Sequence, residues 1–90
     1  MIMDDFVRKM MAMGYSREMA EDTIWIASDT SNLTGREFNF VPIGDGRYAV
    51  LKPSDRSGHF PALTANGEKI VGTLDQAFES VLDYFRREMP

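Results

Sequence analysis

The amino-acid sequence predicts an α+β domain: two N-terminal helices, an antiparallel sheet of about four strands in two hairpins, and a C-terminal amphipathic helix packed on one sheet face. Three observations predict it. Apolar residues recur at helical spacing near both ends of the chain. The middle shifts to a two-residue alternation. Two glycine-containing turn signals, Gly44-Asp45-Gly46 and Asn66-Gly67, divide that middle into hairpins.

Taken in order, Met3, Phe6, Val7 and Met10 fall on one helical face, which predicts a helix from Met3 to Met13. Asp4 and Asp5 in its first turn and Arg8 and Lys9 further on suit the helix dipole, and Gly14 stands where a left-handed cap is wanted. Ser16 is the expected N-cap of a second helix, in which Met19, Ala20, Thr23, Ile24 and Ala27 share a face. Trp25 and Ile26 lie off that stripe, so this helix is expected to be apolar over much of its circumference, and Ser28 to Asn32 is a polar stop. Phe38 and Phe40 alternate with Glu37 and Asn39 and lead through Val41 and Pro42 to Ile43 as the first long strand. Tyr48 to Leu51 is its returning partner. Pro42 cannot donate a ladder hydrogen bond, so it belongs at an edge or a strand end. After a loop over Pro53 to Gly58, His59 to Thr64 reads as a third strand weakened by Pro61, and Glu68 to Val71 as a fourth. Asn66-Gly67 between them favours a type I′ turn. Thr73-Leu74-Asp75-Gln76 fits a capping box, and Leu74, Ala77, Phe78, Val81, Leu82 and Phe85 then form an apolar stripe with Arg86 and Arg87 at its end.

Composition narrows the function. Ninety residues make one domain, spanning residues 1–90, with 43% hydrophobic and 27% charged residues and a net charge of −4. The absence of cysteine excludes disulfides, thiolate nucleophiles and cysteine-ligated metals, and a single histidine, His59, excludes multi-histidine metal sites. No secretory signal pattern and no apolar run near the roughly 20 residues of a membrane span are present, so the expected compartment is the cytoplasm. A chain this short buries only about 60–65% of its unfolded surface. Most apolar residues are therefore needed for the core, and homodimerisation would bury more of them.

Chemistry-bearing patterns are sparse. His59 in Asp55-Arg56-Ser57-Gly58-His59-Phe60 offers a general base, but Ser57 and Asp55 are too near in sequence to supply a nucleophile and an orienting acid by themselves. The expectation is a polar connection and no catalytic residue, with a small ligand-binding or enzymatic site centred on His59 as an alternative. Asp4, Asp5, Glu18, Glu21 and Asp22 lack the alternating oxygen ligands and glycine of a calcium loop, so no metal is expected. Gly44 and Gly46 precede no helix and make no phosphate cradle. No cofactor is expected.

Charge is distributed unevenly. Residues 1–32 hold six acids and three bases, residues 33–72 four acids and five bases, and residues 73–90 four acids and two bases. The helical ends repel phosphate, which argues against direct nucleic-acid binding and for a protein partner with a basic surface. Tyr15, Glu18, Glu21, Asp22 and Trp25 place aromatics of the type enriched at binding hot spots beside carboxylates, and are the expected partner-binding residues. The clustered Met10, Met11 and Met13 add an adaptable apolar surface.

The run Met10-Met11-Ala12-Met13-Gly14-Tyr15-Ser16, with Arg17 to Ala20 after it, resembles the first helix and loop of ubiquitin-associated domains. The resemblance spans residues 3–27, about a third of the chain. It implies a ubiquitin-binding adaptor whose Met13, Gly14 and Tyr15 would form the apolar contact. The third helix of that family has no counterpart, since Gly35, Phe38 and Phe40 lead into a strand pattern. In size and charge the chain is also similar to small acidic inhibitors of phages and mobile elements, anti-CRISPR proteins among them. The function expected is thus a non-enzymatic protein-binding module that inhibits or regulates by occupying a partner's surface.

Overall fold

Helical spacing, caps and turns shape the computed structural model, which describes residues 2–88. Helix α1 (Ile2–Ala12) buries Phe6, Val7 and Met10. It ends at Gly14, whose φ of +102° lets the Gly14 N–H donate to the Met11 carbonyl at 3.0 Å and the Tyr15 N–H reach the Met10 carbonyl at 3.3 Å. This Schellman closure satisfies the last carbonyls and turns Tyr15 inward.

Helix α2 (Arg17–Glu21) is capped by the Ser16 hydroxyl, which accepts from the Met19 N–H at 3.1 Å. It stops at Glu21 instead of continuing to Ala27. Ile24–Ile26 form strand β1, and the spacing of Met19, Ala20, Thr23, Ile24 and Ala27 is not one helical face. The reason is local and tertiary together. Thr23-Ile24-Trp25-Ile26 is a run of β-branched and aromatic residues that lose rotamer freedom in a helix and fit a pleated surface. The Thr23 hydroxyl also turns back to the Met19 carbonyl at 2.8 Å, and a neighbouring strand is available to pair with the run.

That neighbour is β2 (Phe38–Gly44), which pairs parallel with β1 in the register Ile24 to Phe38, Trp25 to Asn39 and Ile26 to Phe40. β2 then forms an antiparallel hairpin with β3 (Arg47–Leu51) through Asp45 and Gly46, whose φ values of 55° and 69° suit a type I′ turn. A register shift between Pro42 and Gly44 makes a bulge there. Pro42 lies beyond the three residues that β1 covers, so its missing N–H costs no ladder bond on that side. The sheet order is β1-β2-β3-β6, with β6 being Val71–Thr73, so the four-stranded sheet is mixed, parallel only at the β1 edge.

The second hairpin is smaller than its sequence suggests. Asn66 and Gly67 do make the turn, with φ of 54° and 80°, but β4 (Thr64–Ala65) and β5 (Glu68–Lys69) form a separate two-stranded ribbon. His59 to Leu63 follows β3 only through a bridge between Leu51 and Ala62 and isolated bonds, because Pro61 interrupts it. Val50 sits where the ribbon leaves the sheet: its carbonyl accepts from the Leu63 N–H and its N–H donates to the Ile70 carbonyl. The expected fourth strand, Glu68 to Val71, is therefore split between β5 and β6.

Thr73 ends β6 and caps α3 (Leu74–Glu88). Its N–H donates to Gln76 Oε1 at 2.8 Å, and its hydroxyl accepts from the Gln76 N–H at 3.3 Å. Helices α1 and α3 cover one sheet face. Phe6 and Phe78 stack at 5.2 Å, and Phe40 meets Phe78 edge-on at 5.1 Å, in a core that also holds Met10, Val50, Leu63, Val81 and Leu82.

Candidate functional site

The expected partner-binding residues do not form one patch. Glu18 and Glu21 of α2 and its C-cap Asp22 are all exposed, and none has a cation within ion-pair distance among the described residues. On the other helices Asp5 pairs with Arg8, and Glu79 is held by Lys9 at 3.7 Å and Arg86 at 3.0 Å, while Asp75 of α3 has no such partner among the described residues. Those contacts, with the Arg86 hydrogen bond first among them, keep the Glu79 carboxyl below its ordinary range. Other carboxylates, Asp29, Glu37, Asp45, Glu68, Asp75 and Glu88, also lack an ion partner among the described residues, but Glu18, Glu21 and Asp22 are three gathered within five residues.

Tyr15 is half-buried and edges onto Phe85 of α3, with ring centroids 5.4 Å apart. Met13 likewise leans on the core. Trp25 follows the buried Ile24 along β1, so the pleat turns its ring to the helix-free face of the sheet, where it is 37% exposed. Its indole N–H donates to the Asn32 carbonyl at 2.8 Å, which ties the connection 27–37 to the strand. The same connection is held by Asn39, fully buried on β2, which accepts from the Thr34 N–H at 2.9 Å and donates to the Thr34 and Glu37 carbonyls at 2.9 and 3.0 Å.

Two further residues belong to this end of the molecule and were not singled out by sequence reasoning. Met19 projects from α2 with 39% of its surface exposed, and with Asp22 it borders a cleft of about 420 Å³ floored by Phe38 and Phe85, with Arg36 on the rim. Ile26 is 43% exposed on the β1 edge. The signal for Ile26 was its place outside the helical stripe, which marks it here as an edge-strand residue.

His59 stands apart, on an exposed loop. Asp55 organises that loop: one carboxylate oxygen accepts from the Ser57 N–H at 2.9 Å, the Ser57 hydroxyl at 2.7 Å and the His59 N–H at 3.0 Å. The bond from the Ser57 hydroxyl leads those that hold the Asp55 carboxyl below its ordinary range. His59 Nδ1 lies 3.6 Å from the other oxygen. The Ser57 hydroxyl therefore serves the carboxylate and not the imidazole. Beside His59 a cleft of about 320 Å³ opens on the helix-free face, floored by Ala49, Leu51 and Val71 and walled by Phe60, with Lys69 at its rim.

Among the described residues no three His, Asp or Glu side chains are placed to hold a metal ion, and no helix is long and apolar enough to cross a membrane. Comparison of the chain with protein-family models, with curated proteins and with solved structures gives no match. The fold itself defines an α+β protein with two helices on one face of a mixed sheet.

Proposed function

We propose that this chain is a protein-binding module that inhibits or regulates a partner with a cationic surface by covering it. The observation that carries the reading is the exposed trio Glu18, Glu21 and Asp22 on α2 and its C-cap, without ion partners among the described residues and set beside the exposed Met19. Unneutralised carboxylates raise the encounter rate with a basic surface, and a flexible apolar side chain next to them supplies contact once docked. A nucleic-acid-binding enzyme offers such a surface in the groove where its own substrate sits.

The test is association kinetics with a partner isolated from the source organism. Changing Glu18, Glu21 and Asp22 together to Lys is expected to slow association at least tenfold at low salt, on the scale of steered encounters. The unchanged protein is expected to lose rate as salt rises. An unchanged rate in the triple variant, with no salt dependence, would overturn the proposal.

A ubiquitin-binding adaptor is the weaker reading, because Tyr15 of the Met13-Gly14-Tyr15 loop is engaged by Phe85. A small-ligand site at His59 draws support from the apolar cleft beside it. That reading requires His59→Ala to abolish activity while the protein stays folded.

A further inference from the structure

The outer edge of β1 carries backbone groups with no strand beside them, exposed at Ile26 and largely covered at Ile24, which is 5% exposed. In the parallel ladder the Phe38 N–H donates to the Thr23 carbonyl and the Ala27 N–H to the Phe40 carbonyl, both at 2.9 Å. Residues 23, 25 and 27 thus turn their backbone groups toward β2, and Ile24 and Ile26 turn theirs away from it. No backbone or side-chain group of the described residues bonds to those outward N–H and C=O groups. Folded proteins blunt such edges with lysine, proline or a bulge. The strand Ile24-Trp25-Ile26 has none of these and is blunted only by its three-residue length, with Ile26 43% exposed on it.

Charge decides what can pair there. Glu21 and Asp22 precede the strand and Asp29 follows it. Asp29 stays ionised, because its carboxylate accepts from both the N–H and the hydroxyl of Ser31. Two copies joined antiparallel through β1 would set Glu21 and Asp22 of each against Asp29 of the other, which is repulsive. An incoming strand with cationic ends meets the opposite condition. We infer that β1 receives an extended segment of a partner protein by strand addition, with apolar residues alternating along it and Lys or Arg at its ends. The inference rests on the acidic protein-binding reading above and supplies its docking mode.

The probe is the synthetic peptide KKVTVTVKK, titrated into the full-length isotope-labelled protein and followed by NMR. Shifts are expected to concentrate at residues 22–29, with the exposed Ile26 N–H at least tenfold more protected from exchange at saturation. Ile26→Pro removes an outward N–H, along with the isoleucine side chain, and no β1–β2 ladder bond, and is expected to abolish binding while the melting temperature stays within a few degrees. Should that variant unfold, the same peptide N-methylated at alternate residues leaves the protein untouched and is expected not to bind. No binding at millimolar peptide, shifts centred elsewhere, or equal binding by the N-methylated peptide or a folded Ile26→Pro protein would overturn strand addition. So would a concentration-dependent dimer dissolved by Ile26→Pro, which would make the occupant a second copy. If the triple Lys variant loses the natural partner and Ile26→Pro keeps it, the acidic surface stands and strand addition fails. The reverse result leaves the edge and removes the electrostatic reading.

Discussion

Asn39 is a polar side chain with none of its surface exposed, placed on β2 beside Trp25 of β1. Its amide closes three hydrogen bonds to the backbone of the 27–37 connection, and those bonds replace the helix that usually covers a parallel crossover. Asn39→Ala would leave the Thr34 N–H and the Thr34 and Glu37 carbonyls without their partner. At about 1–3 kcal/mol for an unmet buried group, the variant is expected to lose at least 2 kcal/mol in urea unfolding. Residues 28–36 are expected to exchange their amide protons faster than in the unchanged protein. His59 gives the opposite expectation. Its side chain is 70% exposed, with Nδ1 3.6 Å from the Asp55 carboxylate. His59→Ala is expected to melt within a degree or two of the unchanged protein and to keep partner binding, measured by the same association kinetics. Loss of activity in the folded variant would move attention to the cleft at Phe60 and Lys69.

At the scale of elements, what could be read from the sequence tracks how local the determinants are. The α3 helix was legible from end to end, because its capping box and its apolar stripe both lie within the segment. The two turns were legible because Asp45-Gly46 and Asn66-Gly67 demand positive φ wherever they occur. β1 was not legible. Thr23 to Ala27 satisfies a helical spacing and a strand preference equally, and the deciding contact is with Phe38 and Phe40, more than ten residues away in the chain. The misreading carried into the site: a continuous helix would have set Trp25 beside Glu21 and Asp22, whereas the strand turns the ring to the helix-free face. The acidic trio survives because Glu18 and Glu21 fall within the short helix that does form and Asp22 is its C-cap, one residue further on. For α3 the expected outcome is severe. Phe78 contacts both Phe6 and Phe40, so Phe78→Ala is expected to cost about 3–5 kcal/mol, a large share of the roughly 5–15 kcal/mol of a whole domain. Thr73→Ala, which removes only one cap, is expected to cost about 1 kcal/mol. Thermal unfolding followed by circular dichroism separates the two, and a Phe78→Ala protein as stable as the parent would mean that α3 is not docked on the sheet.

For the molecule as a whole, acid acts on stability and on binding in the same direction. Asp29, Asp55 and Glu79 are each held below their ordinary pKa, Asp29 and Asp55 first by the hydroxyls of Ser31 and Ser57 and Glu79 first by Arg86. A carboxyl that is more acidic in the folded state favours folding above its unfolded pKa. That contribution disappears as pH falls through the folded value. Stability is therefore expected to be flat near neutrality and to decline below the ordinary carboxylate range, with a small amplitude because all three groups face solvent. Binding is expected to respond sooner. The chain carries a net charge of −4 at pH 7 and has an isoelectric point of about 4.8, so its attraction for a cationic partner fades as side chains take up protons toward that value, ahead of the three carboxyls held low. Association rates measured between pH 7 and 5 at constant ionic strength are expected to fall while the melting temperature holds, and the triple Lys variant, net positive, is expected to associate slowly throughout that range. A binding rate that tracks the melting temperature would instead mean that acid acts through unfolding, and that the α2 carboxylates do not steer the encounter.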